Sequence, residues 1–211
     1  KENLSAGEIV DQFLYLSSRS TSRVTNVVFM GMGEPFLNYR NVSNAAEIIN
    51  KKINLGARKI TISTAGVVSK IYKMADDKLP YKLAISLNAP NDEIRKKIMP
   101  LTKKNPIEEL IKSADYYYNK LKRFVTFEYV LLNSVNDSEK CASELIDLLK
   151  YIPCKLNLIP YNEIGGKYSR PNNQSINTFI DVLKNAPFTV TVRWSKGTKI
   201  DAGCGQLAVK N

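Results

Sequence analysis

The chain has 211 residues, 31 Lys and Arg against 20 Asp and Glu, three Cys and no His, for a formal net charge of +11. The absence of His excludes Ser-His-Asp triads, Cys-His dyads and His-ligated metal sites, and no apolar run approaches the roughly 18 residues of a membrane span. Three widely spaced Cys make a poor disulfide framework, so a reducing, cytoplasmic setting is expected, while the basic balance fits either a polyanionic partner or a solvated basic surface.

In chain order, Ser5 and Glu8 form a capping-box pattern ahead of Ile9, Phe13, Leu14 and Leu16, which predicts a first helix. An apolar, β-branched run over residues 24–30 reads as a buried strand, and residues 41–52 place apolar side chains at three- and four-residue spacing, as a helix does. The same pairing recurs as strand 58–63 with helix 67–75, strand 83–87 with helix 106–121, strand 124–132 with helix 138–149, and strand 155–159 with helix 176–185. A last strand is predicted at 188–192, and Pro106 suits the first position of its helix, where the missing N–H costs nothing. No repeat or linker divides the chain, so residues 1–211 are expected to form a single domain.

Strand and helix in alternation predict βαβ units and a parallel sheet, and the continuous apolar runs fit strands covered on both faces. The expected fold class is therefore α/β. Spacing leaves open a doubly wound sheet or a complete or partial (β/α) barrel. In either, function belongs at the carboxyl ends of the strands.

After the first strand comes Gly31-Met32-Gly33-Glu34-Pro35, which lacks the third glycine of a dinucleotide loop and has a proline that would interrupt an opening helical turn. Taken alone it reads as a tight turn or a close backbone approach to a ligand. Ser63-Thr64-Ala65-Gly66 follows the second strand, where the helix start could receive an anion or be a plain cap. Ser86-Leu87-Asn88-Ala89-Pro90 follows the third strand and Pro160-Tyr161-Asn162 the fifth. Together these clusters suggest one polar, ligand-sized site at the mouth of the sheet.

Near the C-terminus, Cys204 lies between Gly203 and Gly205, with Arg193, Lys196 and Lys199 in the same stretch to lower its pKa; the alternative is a small residue in a Gly-rich loop. Cys141 and Cys154 read as small core residues, and Tyr116-Tyr117-Tyr118 as helix packing rather than base stacking.

These motifs, with Arg95 to Pro100 and Asn157 to Asn162, occur in an order and spacing that closely resembles the radical-SAM ribosomal RNA adenine-C2 methyltransferases, dual-specificity enzymes that also act on certain tRNAs. The resemblance runs from Leu4 to Leu207 and implies a partial (β/α) barrel of parallel strands with outer helices, its first strand and cluster loop missing from this chain. It implies S-adenosyl-L-methionine (SAM) across the strand ends, its amino group held at Gly33 and Glu34, with further contacts at Ser63, Ser86, Leu87, Asn88 and Asn162. Cys204 matches the cysteine that is first methylated; hydrogen abstraction from that S-methyl group by a 5′-deoxyadenosyl radical then leads to attack on C2 of adenine. Such chemistry needs no histidine base.

The implied cofactors are SAM and a 4Fe–4S cluster, whose ligands are expected upstream because no Cys-x3-Cys-x2-Cys motif occurs here. The implied partners are 23S rRNA, tRNA and a reducing electron donor, with no membrane and a monomeric enzyme, and this chain alone is expected to be inactive. Asn88 stands where the family usually has His, and Lys199 where an acid is common. The alternatives are the C8-methylating antibiotic-resistance relative, a cluster-free SAM- or RNA-binding homologue, or a barrel enzyme for a phosphorylated metabolite. Gly165-Gly166-Lys167 is the phosphate-loop candidate for the last of these.

Overall fold

The structure is a computed structural model and describes residues 2–30, 32–164 and 166–194. All six expected strands are present: β1 (Val27–Phe29), β2 (Ile60–Thr64), β3 (Lys82–Ser86), β4 (Val125–Leu131), β5 (Cys154–Pro160) and β6 (Thr189–Val192). The helices are α1 (Ala6–Arg19), α2 (Tyr39–Lys51), α3 (Val68–Asp76), α4 (Asp92–Ile98), α5 (Ile107–Leu121), α6 (Glu139–Leu149) and α7 (Asn173–Leu183). The capping box of α1 forms as expected, with Ser5 Oγ accepting from Glu8 N and Glu8 Oε2 accepting from Ser5 N at 2.8 Å.

Every neighbouring strand pair is parallel and the spatial order is β1-β2-β3-β4-β5-β6. A doubly wound sheet reverses its order at a switch point. This one never does, which settles the choice between the two architectures in favour of a partial barrel. With crossovers of the usual right hand, winding in a single direction lays all helices on one face.

The side chains that pack with the helices belong to one parity of each strand: Ile60 and Ile62, Leu83 and Ile85, Phe127 and Tyr129, Leu156 and Leu158. The opposite parity carries Thr61, Ser63, Ser86, Thr126, Glu128, Asn157 and Thr191, which makes the inner face polar. Strands covered by apolar layers on both faces were the expectation, and this holds for the outer face only.

Three local departures have simple causes. The first strand is three residues long rather than seven, because only Val27–Phe29 find a ladder partner in β2. Pro106 is the N-cap of α5, not its first helical residue: its ψ of 156° is extended, and its carbonyl accepts the first helical N–H, from Leu110 at 3.0 Å. Pro35 does not interrupt a helical turn but opens a 3-10 turn over Pro35–Asn38 that leads into α2. The tyrosine run packs as expected, with Tyr117 fully buried and its hydroxyl donating to Tyr81 O at 2.7 Å.

Candidate functional site

At the end of β1 the chain turns at Gly33, where φ is +95°, and presents Glu34 half-buried. Glu34 Oε1 accepts from Phe36 N at 2.9 Å and Oε2 accepts from Ala65 N at 2.6 Å. The carboxylate therefore joins the ends of β1 and β2. Both donors are neutral backbone amides, and among the described residues no cationic side chain pairs with the carboxylate.

The turn after β2 is self-contained. Thr64 Oγ1 accepts from Gly66 N at 3.0 Å and Val67 N at 3.3 Å, and Asn105 Oδ1 accepts from Val68 N at 3.0 Å. The amides leading into α3 and its first one, Val68 N, are thus satisfied within the protein, and Ser63 is left on the inner face beside Ala84.

At the end of β3 the candidate residues divide. Ser86 lies on the inner face, paired in register with Glu128. Leu87 is fully buried in the helix-packed core, and its N–H donates to Glu128 O at 2.9 Å. Asn88 adopts φ 59°, accepts from Val130 N through Oδ1 at 2.9 Å, and its carbonyl accepts from Asn136 Nδ2 at 2.7 Å. Asn136, wholly buried, also donates to Val130 O at 2.8 Å and accepts from Leu132 N at 2.7 Å. Leu87 and Asn88 thus direct these groups into the wall of the site, whereas Ser86 faces its interior.

Glu128 and Thr191, which the sequence reading passed over, complete the inner face. Ser86, Glu128, Asn157 and Thr191 stand opposite one another across four strands. Asn157 Nδ2 donates to Glu128 Oε2 at 3.2 Å, and Thr191 Oγ1 donates to Asn157 Oδ1 at 3.1 Å. Burial pushes the Glu128 carboxyl above the usual carboxylate range, against a smaller lowering by the Asn157 bond and by Arg193. A charge in the middle of the 124–132 apolar run was the visible signal for it.

Beyond β5, Asn162 is 5% exposed and its buried Oδ1 has no hydrogen-bond partner among the described residues. An orphaned buried acceptor costs about 1–3 kcal/mol, so this is a place for a ligand donor. Cys204 and Gly31 lie outside the described residues. Cys141 and Cys154 are buried as single core residues, and desolvation pushes the Cys154 thiol up to about 12.

The described residues form a parallel partial barrel, and at the end of its first described strand the Glu34 carboxylate is held by two backbone amides. Residues 1–145 match the family model of the radical SAM superfamily, and the chain belongs to that superfamily. It is 48% identical over 212 residues to a protein of Alkaliphilus oremlandii named "Probable dual-specificity RNA methyltransferase RlmN", aligning 99% of this chain with 62% of that one. A protein of the same name from Dictyoglomus thermophilum is 46% identical, with 98% of this chain and 61% of the relative covered. The crystal structure of a radical SAM methyltransferase from Sphaerobacter thermophilus superposes with a TM-score of 0.94 at 42% identity, over 98% of this chain and 62% of that one. The chain thus spans about 62% of the length of the relatives it matches. Streptococcus suis SuiB bound to S-adenosylmethionine, at 17% identity and a TM-score of 0.66, shares the fold.

SAM and a 4Fe–4S cluster are the cofactors of this superfamily. The residues present fit SAM: Glu34, which has no cationic partner among the described residues, would receive its ammonium, and Asn162 Oδ1 would accept from one of its N–H or O–H donors. A cluster does not fit them. Among the described residues no three His, Cys, Asp or Glu stand close enough to share a metal.

Proposed function

We propose that this chain supplies the SAM site and the methyl-carrying cysteine of an enzyme that methylates C2 of an adenine in 23S rRNA and in certain tRNAs. The observation that carries the reading is Glu34, a carboxylate held by two neutral amides and open to an ammonium, in a chain aligned over 99% of its length with a relative named an RNA methyltransferase. SAM, when bound, supplies the methyl group.

Gly33 lets the backbone turn so that Glu34 reaches the ligand, and Glu34 orients the amino group. Ser63 and Ser86 on the inner face and Asn162 beyond β5 supply the remaining polar contacts, while Leu87 and Asn88 form the wall behind them. Cys204 is the residue that carries the methyl group to the base. Exposed Lys96, Lys103 and Lys104 in the connection after β3, and Lys167 in the connection after β5, suit a phosphate backbone at this end of the sheet. A reducing electron donor, a monomeric enzyme made of a single domain over residues 1–211, and a cytoplasmic location belong to the same proposal. Among the described residues no helix is long and apolar enough to cross a membrane.

The test is a chimera in which residues 1–211 replace the matching segment of the Alkaliphilus oremlandii relative, expressed in cells that lack their own adenine-C2 methylation. Mass spectrometry of digested rRNA and tRNA should show 2-methyladenosine, and Cys204→Ala should abolish it. A methyl group at C8, or no methylation from a folded chimera, overturns the reading.

A further inference from the structure

Arg95 sits on α4 with no exposed surface at all. Its Nε donates to Leu87 O at 2.9 Å, and Nη1 donates to Thr102 Oγ1 at 3.1 Å and to Asn105 O at 3.4 Å. Nη2 donates to Ala65 O at 2.6 Å and to Ser86 O at 3.0 Å. Every one of these acceptors is neutral. Asp92, the acid whose field Arg95 feels, uses Oδ1 to accept from Ile107 N.

Desolvation pulls the guanidinium pKa down to about 10, which leaves it charged at neutral pH. Burying a cation whose hydrogen-bond acceptors are all neutral is costly, and an apolar residue of the same volume would serve packing better. What an apolar residue could not do is tie carbonyls from two strand ends to one rigid plane. Ala65 follows β2, Ser86 closes β3 and Leu87 follows it. Ala65 is held at its carbonyl by Arg95 and at its N–H by Glu34. One continuous line of bonds therefore runs from Glu34 through Ala65 and Arg95 to Ser86. Gly66 keeps room for it: a Cβ there would stand 3.0 Å from Arg95 Nη2.

We propose that Arg95 is the positioning residue of the SAM site, fixing the separation between the Glu34–Ala65 anchor at β1 and β2 and the inner-face Ser86 of β3. It acts through Ala65 and Ser86 and does not touch the ligand. This rests on the reading of the site as a SAM site. Lys cannot replace it, because a single ammonium lacks the planar fork that spans five acceptors. Met removes the charge and its desolvation cost along with the fork.

The experiment measures SAM affinity by equilibrium dialysis and unfolding by urea on the whole chain, for wild type, Arg95→Lys, Arg95→Met and Thr102→Val. Partners behind metal ligands are worth about 10–100-fold in affinity or activity, and on that scale both Arg95 variants should bind SAM about tenfold more weakly or worse. Arg95→Met should do so even where its unfolding midpoint stays near that of wild type. Thr102→Val, which removes one rear acceptor of the fork and leaves both ligand loops intact, should fold and bind measurably more weakly. In Arg95→Ala, guanidinium ion at a sub-denaturing concentration should restore SAM binding, and methylammonium at the same ionic strength should not.

Wild-type affinity retained in Arg95→Lys and in Thr102→Val overturns the positioning role while leaving the SAM reading standing. An affinity loss that simply tracks the unfolding midpoint across the series, with no guanidinium rescue, also overturns it. If the wild-type chain takes up no SAM, the ligand reading itself fails and the role of Arg95 with it.

Discussion

Replacing Gly66 by Ala should destabilise the protein more than the same change at any other described glycine, and the structure separates the reasons. At Gly66 φ is +107°, and an added Cβ would meet Arg95 Nη2 at 3.0 Å, Leu110 Cδ1 at 3.1 Å and Leu110 Cδ2 at 3.4 Å. Holding a residue with a Cβ at positive φ costs about 1–2 kcal/mol. Crowding a filled interior adds about 1–3 kcal/mol. The guanidinium cannot swing aside without releasing Ala65 O and Ser86 O, so the second contribution should be felt in full. The total is about 2–5 kcal/mol, or roughly 4–20 °C in Tm for a chain of this size.

Gly33 has φ +95° with nothing within 4 Å of the added Cβ, so Gly33→Ala should show the backbone cost alone, about 1–2 kcal/mol. Gly56, with φ −52° and ψ 138° and equally open surroundings, should accept Ala with no loss or a gain of about 0.4–1 kcal/mol. Urea unfolding of the three variants with linear extrapolation checks the order. If Gly66→Ala costs no more than Gly33→Ala, the close packing of Arg95 and Leu110 over this turn is refuted. If Gly33→Ala costs no more than Gly56→Ala, the strain argument falls.

Because the Glu128 carboxyl is raised by burial, the folded chain holds that proton more tightly than the unfolded chain. Its contribution should therefore fall as pH rises from the ordinary value of 4.5 through the raised one and be level above it; Glu128→Gln should flatten this part of the urea stability profile, and an unchanged profile would contradict the shift. Asn136→Ala removes bonds to Asn88 O, Val130 O and Leu132 N at once, and should cost about 2–4 kcal/mol by urea unfolding; a loss below about 0.5 kcal/mol would mean that water replaces the side chain.

The alternation of strand and helix was legible because each strand run and each long helix carries its own period, from 58–63 and 67–75 through 155–159 and 176–185. The seven residues of α4, DEIRKKI, escaped because so short a helix with five charged residues shows no apolar face. Spacing alone could not choose between doubly wound sheet and barrel, since spatial strand order is a property of long-range pairing and not of local period; the family resemblance supplied the partial barrel, and the strand order bears it out. Glu34 stood out in its Gly-rich turn, and the family that this motif suggested together with the later ones is the one the chain matches. Arg95 stood inside a recognised motif, but its role depends on carbonyls contributed by Ala65 and Ser86, at distances in sequence that no spacing rule connects. Asn88 was named as a ligand contact through the family resemblance; its φ of 59° and its bond from Val130 N depend on long-range packing that the sequence does not display.

The unbroken strand order has a consequence for how this molecule breathes. Each βα unit touches chiefly the units before and after it, so stability is shared along a line, much as in a stack of repeats. β1 and β6, with one neighbour each among the described strands, are the natural points of fraying, and amide hydrogen exchange should be fastest there and slowest in β3 and β4. Glu34 hangs on the fraying end, while Ser86 belongs to the protected middle. A ligand gripping both would clamp the loose margin to the rigid centre and slow the opening of β1.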